Sequence, residues 1–177
     1  DKFRMSGIFR DVYILKRPEQ AISDYHIKTK IEDMIAKVEL DMKFYFPVNV
    51  KISIEDRNGA VVAVGSIAEE GAAVLEIASP ELWNTENPYL YKLILETENE
   101  VIVDHIALRK IEIKDQVIYL NGQKIKFRGV NRHDSDPVTG FTISREQIIT
   151  DLTLMKQHTF TALGSSNYTT VPFFSEM

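Results

Sequence analysis

The sequence contains no cysteine, which excludes a disulfide framework, a thiolate metal site and a cysteine nucleophile. The same absence suits a reducing compartment, so a cytoplasmic protein is expected. No apolar run approaches the roughly 18 residues of a membrane span, so no membrane partner is expected. There is no block of lysine and arginine, and with it no electrostatic footprint for nucleic acid. Internal repeats and low-complexity stretches are lacking as well. The chain starts at Asp1, with no charged-then-apolar leader behind it, which reads as a piece cut from something longer.

What remains is a globular composition: 177 residues, 44% hydrophobic and 27% charged, with a net charge of −5. That suffices for one ordinary domain, or for a small domain plus part of another. Charge divides the chain into three. Residues 1–19 hold five basic and three acidic groups, residues 20–111 nine and sixteen, and residues 112–177 seven of each. The acidic middle block reads as a solvated surface that keeps a β domain dispersed.

That middle block has the period of strands. Val38-Glu39-Leu40-Asp41-Met42-Lys43-Phe44 alternates apolar and polar, and Val48 to Glu55 repeats the alternation. Asn58-Gly59 suits a turn with positive φ before Val61 to Val64 resumes. Val74 to Ile77, Tyr89 to Leu95, Val101 to Ile111 and Tyr25 to Ile31 complete about seven short strands. Such spacing points to an immunoglobulin-like β-sandwich over 20–111. Pro80 and Pro88 bracket a connecting loop whose Trp83, the only tryptophan, is expected to plug one end of the core.

The last third changes grammar. Val117 to Leu120, Asn121-Gly122 and Ile125 to Val130 predict a hairpin or two successive strands. Ser144-Arg145-Glu146-Gln147 has the form of a capping box, with Ile143 and Ile148 at the staple positions. Ile148, Ile149, Leu152 and Met155 put one apolar face on a helix over 145–158. Phe160 to Leu163 predicts a buried strand, and Pro172 to Met177 the start of a second helix. Strand, helix, strand, helix start is β/α order. The polar cluster Gly129-Val130-Asn131-Arg132-His133-Asp134 falls between strand and helix, at the end where a β/α barrel carries its active site. Its residue types match no metal or catalytic-triad signature, and a loop that merely caps the helix would look the same.

Three stretches carry a resemblance that runs through essentially the whole chain. They are Ser6-Gly7-Ile8-Phe9-Arg10-Asp11-Val12, the segment Leu82-Trp83 through Asn87-Pro88-Tyr89-Leu90-Tyr91, and Leu120-Asn121-Gly122-Gln123-Lys124 followed by Arg128 to Asp134, Pro137 and Gly140. Together they resemble the β-galactosidases of glycoside hydrolase family 2. Arg132, where the related β-glucuronidases usually carry lysine, favours the galactosidase branch. The resemblance implies three parts: the terminal strand of a preceding sugar-binding jelly-roll domain (1–19), the immunoglobulin-like sandwich (20–111), and the first β/α units of a truncated (β/α)8 catalytic barrel (112–177). The expected fold class is therefore mainly β, a sandwich followed by an incomplete TIM barrel.

It also implies a retaining glycosidase acting on terminal β-D-galactosides through two carboxylates about 5 Å apart. In the family both are glutamates on later barrel strands, and the magnesium and sodium ligands also lie elsewhere, so no catalytic residue and no cofactor of its own is expected here. His133 carries over as a contact to galactosyl hydroxyls, with Asn131, Arg132 and Asn167 as further substrate-binding candidates. The second site departs from the family pattern of arginine, small residue, serine, histidine, tyrosine, proline. This chain reads Gly164-Ser165-Ser166-Asn167-Tyr168-Thr169. Glycine supplies no guanidinium fork, and asparagine can hydrogen-bond a hydroxyl without becoming charged. Strongly impaired hydrolysis is the expectation even in a full-length setting, and inactivity for the chain alone. The alternatives are a non-catalytic carbohydrate-binding or scaffold module, or part of another family 2 enzyme such as a β-glucuronidase. The parent is expected to take a galactoside and to be able to form an oligomer. The sandwich is expected to be the stable unit, with 112–177 more loosely held because two β/α units cannot close a barrel.

Overall fold

A computed structural model describes residues 7, 8, 10–68 and 71–165. The chain divides into two compact units. One is residues 16–125, and the other combines 1–15 with 126–177.

The first unit is a sandwich of seven antiparallel strands: β1 (Ile22–Glu32), β2 (Ile35–Phe44), β3 (Val50–Glu55), β4 (Val61–Ile67), β5 (Gly71–Ala78), β6 (Tyr91–Glu96) and β7 (Val101–Ile106). One sheet has the order β1-β2-β5 and the other β4-β3-β6-β7. The period of two does the work. Ala36, Val38, Leu40 and Met42 of β2 are buried, as are Val50, Ile52 and Ile54 of β3 and Tyr91, Leu93 and Leu95 of β6. All belong to one apolar cluster contributed by both sheets. Their polar neighbours in sequence point outward, where Lys30 meets Glu39 at 2.6 Å and Lys92 meets Glu55 at 3.0 Å.

The strands are those that the alternation predicts, with most ends displaced by up to three residues. β3 and β6 begin at Val50 and Tyr91, two residues later than the alternation suggests. The long apolar stretch 101–111 breaks after Ile106, because Leu108 turns fully inside and its carbonyl accepts a hydrogen bond from the Trp83 N–H at 2.9 Å. The strand that follows, β8 (Ile111–Lys114), starts a small sheet with β9 (Val117–Leu120) and β10 (Gln123–Lys124), in the order β10-β9-β8. Asn121 and Gly122 turn the second hairpin with φ of 50° and 78°, as the Asn-Gly dipeptide predicts. Asn121 also donates from Nδ2 to the Trp83 carbonyl at 2.9 Å and accepts the Lys110 N–H at 2.9 Å. In the proline-bracketed loop it is Leu82 that packs against the core, while Trp83 is half-buried with the Arg109 guanidinium 4.9 Å from its ring centre.

The second unit holds β11 (Gly129–Arg132), helix α1 (Arg145–Gln157) and β12 (Ala162–Ser165). β11 and β12 pair in parallel with the register Gly129↔Ala162, Val130↔Leu163, Asn131↔Gly164 and Arg132↔Ser165. This is the strand–helix–strand order read from the sequence, but β11 starts four residues and β12 two residues later than predicted, Phe160 is exposed, and no residue of β12 is fully buried. The capping box is present in full: Ser144 Oγ accepts the Gln147 N–H at 3.2 Å, and Gln147 Oε1 accepts the Ser144 N–H at 2.8 Å. The helix predicted from Pro172 onward lies outside the described residues. Among the described residues of 126–165, Ile148 is the only fully buried apolar side chain.

Side-chain bonds tie β1 to the β7 region, and one of them titrates. The Tyr25 hydroxyl on β1 donates to Asp104 Oδ2 on β7 at 2.9 Å, linking the two sheets. Burial, then the hydrogen bond and the charge of Asp104, push the Tyr25 hydroxyl up from 10.0 to about 12. A folded-state value above the unfolded one contributes stability that is complete below pH 10 and lost as pH rises towards 12. In urea titrations across that interval, the stability difference between the protein and Tyr25→Phe should shrink. A constant difference would show that the link does not hold Tyr25 protonated.

Candidate functional site

Three consecutive residues at the carboxyl end of β11 take opposite orientations. Asn131 and His133 are exposed, and Arg132 between them is buried. Strand alternation produces this arrangement. It presents an amide and an imidazole to solvent and sends the guanidinium inward.

The Arg132 side chain, 5% exposed, lies against two carboxylates. Nε and Nη2 reach Asp151 Oδ2 on α1 at 2.9 and 2.8 Å, and Nη1 donates to Asp134 Oδ1 in the loop after β11. Asp134 is approached on its other oxygen by Arg10 at 3.6 Å. The planar fork of arginine suits such shared carboxylate binding, where lysine would offer one point charge. The residue expected to contact substrate thus has its guanidinium against two carboxylates of its own unit. Its Nε and Nη1 groups donate to the helix and to the strand's own loop. His133 is held in the same loop, and its carbonyl accepts the Ser135 N–H at 2.9 Å.

Sequence reasoning missed Asp151 as the partner. A signal was available: Asp151 sits three residues after Ile148 and one before Leu152, on the apolar face of α1, where a lone charge needs a buried counter-ion. Asn167, the remaining candidate, lies outside the described residues, as do Ser166, Tyr168 and Thr169.

Gly164 is described, and it faces Asn131. A Cβ built on Gly164 would lie 2.7 Å from Asn131 Oδ1. Gly129 is confined differently, since a Cβ there would meet the Ala162 carbonyl oxygen at 2.9 Å, so the close pairing of β11 and β12 requires a glycine.

Two further carboxylates of this unit, Asp136 and Glu146, serve local structure. Asp136 Oδ1 accepts the Val138 and Thr139 N–H groups at 2.8 and 2.9 Å, which hold its carboxyl below the usual range. Glu146 in the first turn of α1 is likewise lowered, by hydrogen bonds with backbone and Ser144. Both shifts are opposite to that of a general acid. Among the described residues no three His, Asp or Glu side chains gather to hold a metal ion. Among the same residues no helix is long and apolar enough to cross a membrane.

Comparison with known proteins matches these features. Residues 20–110 match the family described as "Glycosyl hydrolases family 2", and residues 111–177 the one described as "Glycosyl hydrolases family 2, TIM barrel domain". The chain is 43% identical to a β-galactosidase of Actinobacillus pleuropneumoniae and 39% identical to one of Staphylococcus xylosus, in each case over 100% of this chain and 18% of the relative. It thus spans about a fifth of the length of the curated relatives it matches. Among solved structures, Ruminococcus gnavus β-glucuronidase superimposes with a TM-score of 0.82 at 21% identity, over 90% of this chain and 27% of that one.

Removing the guanidinium should loosen this unit. Arg132→Met leaves Asp134 and Asp151 without their shared cation, at a cost of about 3 kcal/mol, the low end for a broken buried pair because Asp151 is partly open. Hydrogen exchange should then show α1 amides losing protection while β3 and β6 keep theirs. Unchanged protection in α1 would contradict the clamp.

Proposed function

The chain belongs to glycosyl hydrolase family 2, and from that premise we propose that it supplies one sugar-facing wall of a retaining β-galactosidase whose catalytic carboxylates come from outside these 177 residues. The observation that carries the reading is the exposed pair Asn131 and His133, set at the carboxyl end of a parallel strand on either side of a buried arginine. Barrel enzymes place substrate at that end.

An imidazole both donates and accepts, so His133 can hydrogen-bond a galactosyl hydroxyl. It raises the rate to the extent that the bond tightens as the ring flattens towards the oxocarbenium ion. Asn131, and Asn167 beyond the described residues, add neutral donor–acceptor groups. Arg132 acts through its neighbours and touches no substrate. The engagement of Asp134, Asp136, Glu146 and Asp151 in local structure supports a nucleophile and an acid/base drawn from elsewhere. The same holds for magnesium and sodium ligands. A galactoside is preferred over a glucuronide because the relatives at 43% and 39% identity are β-galactosidases, whereas the 21% likeness to a β-glucuronidase speaks for architecture alone. The proposal includes a cytoplasmic setting, which the absence of cysteine supports, and an oligomeric parent.

The test is a hybrid in which this chain replaces the matching segment of the Actinobacillus pleuropneumoniae relative, assayed with a fluorogenic galactoside. The isolated chain should show no turnover and the hybrid slow turnover. His133→Ala should lower the hybrid's kcat/KM about 10- to 100-fold, the value of one hydrogen bond that strengthens in the transition state. Turnover by the isolated chain, or a His133→Ala hybrid as active as its parent, would refute the proposal.

A further inference from the structure

Two Asn-Gly pairs occur in the sequence, both in hairpin turns, and their surroundings differ. Asn121, between β9 and β10, has its carboxamide engaged at both ends. Its Nδ2 donates to the Trp83 carbonyl and its Oδ1 accepts the Lys110 N–H, each at 2.9 Å. Asn58, between β3 and β4, is exposed. Among the described residues no group pairs with its carboxamide. What is fixed around Asn58 is the backbone. Asp56 Oδ1 accepts the Asn58 and Ala60 N–H groups at 2.8 Å each, and Gly59 turns the chain with φ of 83°. Beyond the two neighbours of Gly59 in the chain, nothing lies within 4 Å of where its Cβ would be. The free carboxamide and the unshielded glycine are thus adjacent in one solvated turn.

We propose that Asn58 is a site of spontaneous deamidation, and that the two hydrogen bonds of Asn121 protect the other Asn-Gly pair. The reaction consumes only water. Hydroxide removes the Gly59 amide proton, and the nitrogen forms a bond to the side-chain carbonyl carbon of Asn58. The bond from that carbon to Nδ2 breaks, and the nitrogen takes a proton from solvent and leaves as ammonia. The succinimide that remains is opened by water at either carbonyl, giving aspartate or isoaspartate. Glycine favours ring closure because it brings no Cβ against the forming ring. The Gly59 N–H donates to the Asp56 carbonyl at 3.0 Å, so one exposed turn bond opens first. Asn121 has to release two, one of them partly buried. Either product puts a new carboxylate near Asp56 on a chain of net charge −5, and isoaspartate adds a methylene to the backbone of the turn. The effect reaches beyond the turn through Arg57. Its N–H donates to the Tyr89 hydroxyl at 3.1 Å, and its guanidinium lies 4.5 Å from the Tyr89 ring centre.

The test is to age the chain at mildly alkaline pH and follow both asparagines by peptide mapping in a mass spectrometer. Isoaspartate is counted by enzymatic methyl transfer to its α-carboxylate. In the folded chain Asn58 should convert about 5- to 10-fold faster than Asn121, the protection given by one further, partly buried hydrogen bond. In concentrated urea, where neither turn persists, the difference should vanish. Asn58→Ser should remove most of the isoaspartate formed by the folded chain. An Asn58 that converts no faster than Asn121 in the folded chain overturns the proposal. So does a difference that survives in urea, because the local sequence and not the fold would then set the rates. Undiminished isoaspartate in Asn58→Ser overturns it as well, by placing the reactive asparagine elsewhere.

Discussion

A guanidinium taken out of water is expensive unless its donors are met, and that constraint governs the segment carrying the candidate site. Within 126–165 the described residues bury only one apolar side chain completely, Ile148, and one charged side chain, Arg132. An apolar residue of similar volume could fill the same space, but it would not choose between the alternatives open to a short loop. Arg132 does choose, because its fork fits only when Asp151 of α1 and Asp134 of the loop both approach it. Strand alternation then leaves Asn131 and His133 no orientation but outward. The exposure of the two candidate sugar contacts follows from the burial of the residue between them.

The sandwich rests on different physics. Its core draws on both sheets and needs no buried charge, since alternation along β2, β3 and β6 delivers ten apolar side chains to one interior. Polar contacts between strands, such as Tyr25 with Asp104 and Lys92 with Glu55, lie at the margins. The sandwich is thus held by hydrophobic area, while the described residues of the second unit add directional bonds at the carboxyl end of β11. Exposed polar groups not spent on packing remain able to meet a ligand.

Much of this was legible in the sequence because it follows from short-range rules. The period of two marked the sandwich strands, Asn121-Gly122 marked the turn between β9 and β10, and Ser144 with Gln147 marked the start of α1 to the residue. Strand ends were less legible. The break after Ile106 depends on Leu108 finding the core and on a bond to Trp83, more than twenty residues away. At the site, the string from Asn131 to Asp134 announced polar chemistry but not which member faces inward. The engagement of Arg132 by Asp151 was not legible there, because that partner is nineteen residues further on, on another element. The fit of Asn131 over Gly164 was equally hidden, since it exists only once parallel register sets the two opposite each other.

The central claim is that Arg132 faces the protein while its two neighbours face the sugar. A crystal structure of the hybrid enzyme with a bound galactoside tests this most directly. The account predicts sugar hydroxyls within hydrogen-bond distance of His133 and Asn131, with the Arg132 guanidinium still on Asp134 and Asp151. A galactoside held by Arg132, or bound away from both neighbours, would contradict it.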